Sequence, residues 1–185
     1  MPFEALTTAR LRLEPWSDDH TELLVRLAAS PQVTRYIGDG VPWPESRASA
    51  LAAQLRQDWQ RQGFGWRAAI EIENGDQVGL AALTYAGAGA GVAADEYEIG
   101  WWLDPAAWGR GLAREGAAAV RDEAFARLKA PSVLARIQPT NGASLAVAAA
   151  IGLTHETESV GRAGERIAIL RLTADRWREI VAGEG

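Results

Sequence analysis

Between Trp101 and Gly116 the chain reads WWLDPAAWGRGLAREG, an aromatic run followed by Gly109, Gly111 and Gly116 with Arg110 and Arg114 among them. A strand that passes through glycines into a helix is suited to holding an anion. The first helical N–H groups have no intrahelical partner, and the macrodipole places about half a positive charge there. Glycine lets an anion come close to the backbone, and arginine adds charge-assisted hydrogen bonds. Taken alone, the cluster reads equally as a structural turn with a glycine at a packing contact. Its spacing fits neither the dinucleotide fingerprint nor a Walker loop, which needs Gly-Lys-Ser/Thr. Just upstream, alternation puts Glu96 and Glu98 on one strand face with Gly100. Further on, Asn141 precedes an alanine-rich helix as its cap, with Ser144 in the first turn.

These residues need elements to position them. RLRLEPW (10–16) alternates as a half-buried strand, and Ser17 or Asp18 caps a helix carrying Leu23, Leu24 and Leu27. GDGVPWP is a loop, and a longer amphipathic helix follows over 45–62, stopped by Gly63 and Gly65. GWRAAIEIE and NGDQVGLAALTYA form a hairpin about Asn74-Gly75. GAGAGVAAD is a flexible surface loop, and EYEIGWWL is a central strand. A helix from Gly111 to Lys129, the strand SVLARIQ, a helix closed by Gly152 and a final hairpin (154–160, 165–172) complete the order. LTADRWREI adds a terminal helical turn. The whole predicts a mixed, mostly antiparallel α/β (α+β) sheet of about seven strands with about four helices, in a single domain over 1–185.

Composition sets further bounds. The chain has 185 residues, net charge −5 and no cysteine. Disulfides, thiolate nucleophiles and cysteine metal sites are therefore excluded. The negative charge argues against a nucleic-acid partner. His20 and His155 lie far apart without ligand spacing, so no metal is expected. No apolar stretch reaches about 18 residues without a charge, and MPFEALTTARLRL lacks a basic start followed by an apolar run. The expectation is a cytoplasmic protein without a membrane partner.

Together ARLRLEPW, EIGWWLDPAAWGRGLAREG, NGASLAVAAAIGL and LTADRWREI resemble the GCN5-related N-acetyltransferases (GNAT), in particular the RimJ/RimL-like branch that modifies protein N-termini and small amines. The resemblance covers nearly the whole chain in order. It implies the GNAT fold, whose strands splay to hold acetyl-CoA, and transfer of an acetyl group from acetyl-CoA to a primary amine in a ternary complex. By resemblance, the pyrophosphate of acetyl-CoA lies on the loop from Trp108 through Gly109, Arg110, Gly111, Leu112 and Ala113 to Arg114. The family commonly has Gln or Arg where this chain has Trp108. The backbone at Trp102, Leu103 and Asp104 would pair with pantetheine, and an amide near Trp101 or Trp102 would polarise the thioester. Glu98 would take the amine proton through water, with Glu96 able to share or replace that role. Asn141 and Ser144 match the positions beside the pantetheine arm. Ala148 stands where many members carry the tyrosine that protonates the leaving thiolate, which leaves Ser144 or water as the acid. The amine acceptor, a peptide N-terminus or a small molecule, would enter between the loop carrying Tyr36, Asp39 and Trp43 and the last hairpin, reaching Glu96 and Trp101. Three matters stay open: a non-catalytic acyl-CoA-binding or sensor module, another acyl donor, and a homodimer.

Overall fold

Leu11 and Leu13 point inward and Arg12 outward, so the period-two pattern near the start makes a strand with one buried side. The computed structural model describes residues 3–87, 89, 92–161 and 163–183. In chain order it has β1 (Leu6–Thr7), β2 (Leu11–Pro15), α1 (Thr21–Ala29), α2 (Pro31–Thr34), α3 (Glu45–Gln62), β3 (Arg67–Glu71), β4 (Gln77–Tyr85) and β5 (Tyr97–Leu103). There follow α4 (Leu112–Ala126), β6 (Ser132–Ile137), α5 (Gly142–Ala150), β7 (Thr154–Val160), β8 (Arg166–Thr173) and α6 (Ala174–Gly183). One sheet takes the order β1-β2-β3-β4-β5-β6-β8-β7, antiparallel throughout except for the parallel pair β5–β6.

Local chemistry explains most of these bounds. In α3, Ala48, Ala52, Leu55 and Trp59 recur on one buried face, and Gly63 ends the helix at φ 72°. Asn74 takes the turn between β3 and β4, its Oδ1 accepting the Asp76 N–H at 3.0 Å. The eighth strand is the short β1, too brief for an alternation signal. Where LTADRWREI predicts a single turn, Leu172 and Thr173 end β8 and the ten-residue α6 follows from Ala174, held because Trp177 stacks on Phe125 at 5.1 Å and donates to Asp122 at 2.7 Å. The stretch GAGAGVAAD falls partly outside the described residues.

The central strands are buried on both sides. Leu80 and Ala82 of β4 face the layer made by α1 and α3. Ala81 and Leu83 face the opposite layer, in which α4 lies across β4 and β5. One ion pair crosses the second layer. Arg67 of β3 and Glu123 of α4 each have a side chain only 2 % exposed. Arg67 donates to both carboxylate oxygens, at 3.1 and 2.6 Å, and to the carbonyls of Glu4 at 2.9 Å and Leu13 at 3.3 Å. Its guanidinium lies 4.6 Å from the Trp59 ring centroid. A buried pair is stabilising only if its remaining polar groups are satisfied. Here all three nitrogens of the Arg67 guanidinium donate, and Arg127 adds a second cation to Glu123 at 2.7 Å.

Glu123→Ala should therefore destabilise the fold by about 3–5 kcal/mol, because it leaves Arg67 buried without its counterion. Replacing both members together by methionine and leucine should come much closer to wild type. Urea unfolding of the single and double variants checks this, and equal losses in the two would refute it.

Candidate functional site

β5 and β6 stay together for only two residue pairs, Tyr97↔Val133 and Glu98↔Leu134. Beyond them the strands part, while β5 continues on β4 as far as Leu103 and β6 continues on β8 as far as Ile137. The two strands run the same way, so both leave the sheet at one end of the opening. β5 leads through Trp108–Gly111 into α4, and β6 leads through Asn141 into α5. The glycine loop and the capped helix thus flank the same mouth.

The open edge of β5 can be assigned residue by residue. The Asp104 N–H donates to the Val78 carbonyl of β4 at 2.8 Å. In an antiparallel ladder the bonded sides alternate, so Trp102 and the Asp104 N–H turn into β4, the Asp104 carbonyl accepting from Ala107 instead, while Trp101 and Leu103 turn theirs toward β6. The Trp108 indole N–H donates to the Leu103 carbonyl at 2.9 Å, which ties the glycine loop to the strand end and leaves Trp108 49 % exposed. The open edge therefore offers Trp101 and the Leu103 N–H. Of the three residues expected to line it, Trp102 and Asp104 are committed to the sheet.

Gly109 and Gly111 have φ of 72° and 77°, a backbone that only glycine adopts without strain. Gly111 is the N-cap of α4. From Gly109 to Arg114, six consecutive backbone N–H groups donate to nothing among the described residues. They form a cradle at the positive end of a four-turn helix. Arg114 lies exposed in the first turn without an ion pair among the described residues. Arg110 departs from expectation: its guanidinium turns back to Glu71 at 3.0 and 2.5 Å, and those hydrogen bonds hold the Glu71 carboxyl below its usual range. Gly116 falls within the helix expected after Gly111. It lies inside α4, buried over Leu11, Leu13 and Ala81, and takes no part in the loop.

Arg10, which sequence reasoning missed as a site residue, stands beside the cradle. It donates to the Arg110 carbonyl at 2.7 Å and to Glu115 at 2.7 Å. Burial pushes the Glu115 carboxyl up, but hydrogen bonds from Thr8 and from Arg10 outweigh it and leave it lowered. The only signal for Arg10 was its place in ARLRLEPW.

At the closed end, Glu98 faces the α1/α3 side with Gly100 and Trp102, and its side chain is 19 % exposed. Arg136 of β6 grips both its oxygens, one at 3.0 Å, and also donates to the Ala86 carbonyl at 2.7 Å. Glu96 precedes the strand and pairs with Arg171 of β8. Burial pushes the Glu96 carboxyl up, yet hydrogen bonds from the Ala93 N–H and Arg171 leave it below the ordinary range. Both candidate bases are thus held by arginines. Arg136 occupies two of the roughly four lone-pair sites of the Glu98 carboxylate, so it retains capacity for a water or an amine.

Gly100 separates Glu98 from Trp102 on one face, and only Ala82 lies near where its side chain would be. Trp102 packs edge-on against Trp43 and Trp66, each at 5.4 Å. Trp43 is further covered by the Arg47 guanidinium at 3.9 Å, so it serves first as a wall. Trp101 packs on the opposite layer. Gln138, just past β6, donates to the Gly38 carbonyl at 3.3 Å, and a side chain at Gly38 would reach Ala163 in the last hairpin. The loop of Tyr36 and Asp39 therefore does meet that hairpin. Asp39 accepts the Val41 N–H at 3.2 Å within its own turn, and Tyr36 lies under Arg35 at 5.2 Å. Asn141 caps α5 by accepting the Ser144 N–H at 3.2 Å, and the Ser144 hydroxyl makes no hydrogen bond among the described residues. Ala148 is wholly buried, at 0 % exposure.

Residues 10–154 match the family described as the acetyltransferase (GNAT) domain. The chain belongs to the GNAT family. It is 33 % identical over 155 residues to FsC-acetyl coenzyme A-N(2)-transacetylase of Aspergillus fumigatus, a match that takes in 81 % of this chain and 65 % of that protein. Among solved structures, an acetyltransferase from Agrobacterium tumefaciens is 28 % identical with a TM-score of 0.78, covering 93 % of this chain and 95 % of that one. RimL, a ribosomal L7/L12 α-N-protein acetyltransferase solved with coenzyme A, shares the fold at 15 % identity and TM-score 0.74, over 94 % of this chain and 99 % of that one. No metal-binding group of three or more His, Asp or Glu occurs among the described residues. No described helix is long and apolar enough to cross a membrane.

Because Gly116 belongs to the helix and not to the cradle, Gly116→Ala should stabilise the GNAT domain. A methyl there meets its neighbours at ordinary contact distances of 3.6 to 3.7 Å. The gain in helix propensity is up to about 1 kcal/mol, or about 2–4 °C in Tm for a domain of this size. A lowered Tm in thermal unfolding would refute this.

Proposed function

We propose that this domain transfers an acetyl group from acetyl-CoA to a primary amine, on a protein N-terminus or a small molecule, by direct attack in a ternary complex. The observation that carries the reading is the cradle of six undonated amides placed at the mouth of an open β edge. A pyrophosphate fits the first and an extended amide-bearing arm fits the second. The fungal relative's name supports a nitrogen acceptor, since it specifies N(2).

The bound thioester would supply the activated acetyl group, and the protein's tasks are then to orient it and to move one proton. Amides of Gly109 to Ala113 would hold the phosphates, with Arg114 adding charge. Trp101 and Leu103 would pair with the arm, and the Trp101 N–H would face the thioester oxygen. Such a donor is commonly worth about 2.7–4 kcal/mol. An α-ammonium near pKa 8 needs only about 1 kcal/mol to shed its proton at neutral pH, whereas a lysine-like group near 10.4 needs about 4.6. Glu98 would take that proton through water while Arg136 keeps its carboxylate aimed across the gap at Gly100. Glu96, tied to Arg171 and Ala93, is the less available of the two.

Ala148 favours one departure from the usual scheme. A thiol of pKa about 8.5 leaves as thiolate with little help, so Ser144 or water suffices as its proton source. A tyrosine introduced at Ala148 would overpack the core, which costs about 1–3 kcal/mol, and is no clean rescue. The same alanine is what a binding-only module would carry. Thiol release tested with a panel of amines decides between the two readings.

Two variants test the roles. Glu98→Gln should lower kcat by about 10²–10⁴ with coenzyme A affinity nearly intact by calorimetry. Full activity of this variant from about pH 6 to about pH 9 would assign the proton to another group. Gly111→Val should weaken coenzyme A binding by at least about tenfold. A side chain at φ 77° is strained and would start 3.4 Å from Arg10, so the damage comes through the backbone and not through filling the anion's space. Wild-type affinity in a folded variant would remove the cradle.

A further inference from the structure

The Arg110–Gly111 peptide sits at the centre of the cradle, and Arg110 is held from outside the loop at both its carbonyl and its side chain. On one side Arg10 donates to the Arg110 carbonyl at 2.7 Å. On the other, Glu71 keeps the Arg110 guanidinium turned away toward β3. A trans peptide is planar with its N–H opposed to its C=O. A carbonyl fixed toward Arg10 therefore directs the Gly111 N–H away from Arg10. A glycine-flanked peptide resists reorientation poorly, since glycine crosses φ/ψ space at little cost.

We propose that Arg10 is a positioning residue for coenzyme binding: it sets the direction of the Gly111 amide by holding the Arg110 carbonyl, and it is itself held by Glu115. The proposal rests on the reading of this loop as the pyrophosphate site. Arg10 is well placed for the task. Its Nε and Nη2 both lie 2.7 Å from Glu115 Oε2, leaving Nη1 for the carbonyl. Glu115 is fixed in turn by the Thr8 hydroxyl at 2.6 Å and the Arg10 N–H at 2.7 Å. One planar fork thus spans the first turn of α4 and the peptide just before it, which an ammonium on a flexible stem cannot reproduce. Since its charge is already matched by Glu115, Arg10 acts by geometry and not as a phosphate counterion.

The experiment compares Arg10→Met, Arg10→Lys and Gly109→Val, each checked by circular dichroism, against three probes: coenzyme A, 3′-phospho-ADP and pantetheine. For Arg10→Met, affinity for coenzyme A and for 3′-phospho-ADP should fall by about tenfold, the size of one charge-assisted hydrogen bond. Affinity for pantetheine, which has no pyrophosphate, should not change. The KM for acetyl-CoA should rise to match, with kcat at saturation kept within about twofold. Arg10→Lys should restore only part of the loss. Full rescue by lysine would mean that charge alone matters, and an equal loss for pantetheine would mean general damage to the fold. Either result overturns the proposal. Should Arg10→Met fail to fold, Glu115→Gln, which loosens Arg10 without removing it, must give the same probe pattern or the proposal falls. Gly109→Val separates the two readings, because at φ 72° it strains the cradle backbone itself while no atom lies within 4 Å of its new side chain and neither Arg10 nor Glu115 is substituted. If it binds coenzyme A as wild type does, the cradle itself is wrong. If it binds weakly while Arg10→Met binds normally, only the positioning role is wrong.

Discussion

β5 and β6 are neighbours in a continuous sheet, yet they share only two residue pairs. A strand edge inside a sheet normally has its N–H and C=O groups satisfied by the next strand, because orphaned backbone groups are costly. Here Trp101 and Leu103 turn toward a neighbour that has swung away. The edge is protected from strange strands by lying within the sheet, and it stays open to a narrow extended guest. Every other functional feature takes its position from this parting. The loop before α4 and the cap of α5 flank one mouth because the parting strands are parallel. The gap at Gly100 lies over the point where they begin to separate.

Something must hold the closed end once the ladder stops, and side chains do so. Arg136 stands on β6 beyond its last pair with β5 and reaches back to Glu98 and Ala86, while Arg171 on β8 reaches Glu96 and Ser132. Both contacts bind the half-sheet of β6, β8 and β7 to the half-sheet that ends in β5. Glu98 accordingly has two tasks, as a latch and as a base. They are compatible because a carboxylate has more acceptor sites than one guanidinium fills. The latch also explains why Glu98 can be polar and largely covered without being unsatisfied.

Local pattern made much of this readable, and distance hid the rest. The bounds of α3, the strand EYEIGWWL and the cap at Asn141 each follow from a few adjacent residues, and each is found where its pattern puts it. The loop was recognisable because its glycines and its position before a helix are also local. The helix expected after Gly111 already took in Gly116, but its turn toward the core depends on Leu11, Leu13 and Ala81 from distant strands. The partners of Arg10 and Arg110 lie about one hundred and about forty residues away, and no periodicity links such pairs. The arginines that hold Glu96 and Glu98 come from β6 and β8 for the same reason. The assignment of open-edge residues needed one hydrogen bond, from Asp104 to Val78, to fix which side of β5 faces the ladder.

The electrostatics of the cradle follow from these pairings. A protein of net charge −5 offers little general attraction to a polyanion. Of the three arginines around the loop, Arg10 is matched by Glu115 and Arg110 by Glu71, which leaves Arg114 as the unmatched charge among these five side chains. Side-chain charge is thus largely cancelled where the anion would lie. What remains is a row of backbone dipoles whose directions are set by glycine conformation and by the helix axis. Such dipoles are fixed before the ligand arrives and lose little side-chain entropy on binding, unlike long cationic side chains. They also discriminate by shape, since displaced phosphate oxygens gain nothing from an amide that points elsewhere. A site of this kind depends less on how much positive charge surrounds it than on how firmly its peptide planes are held.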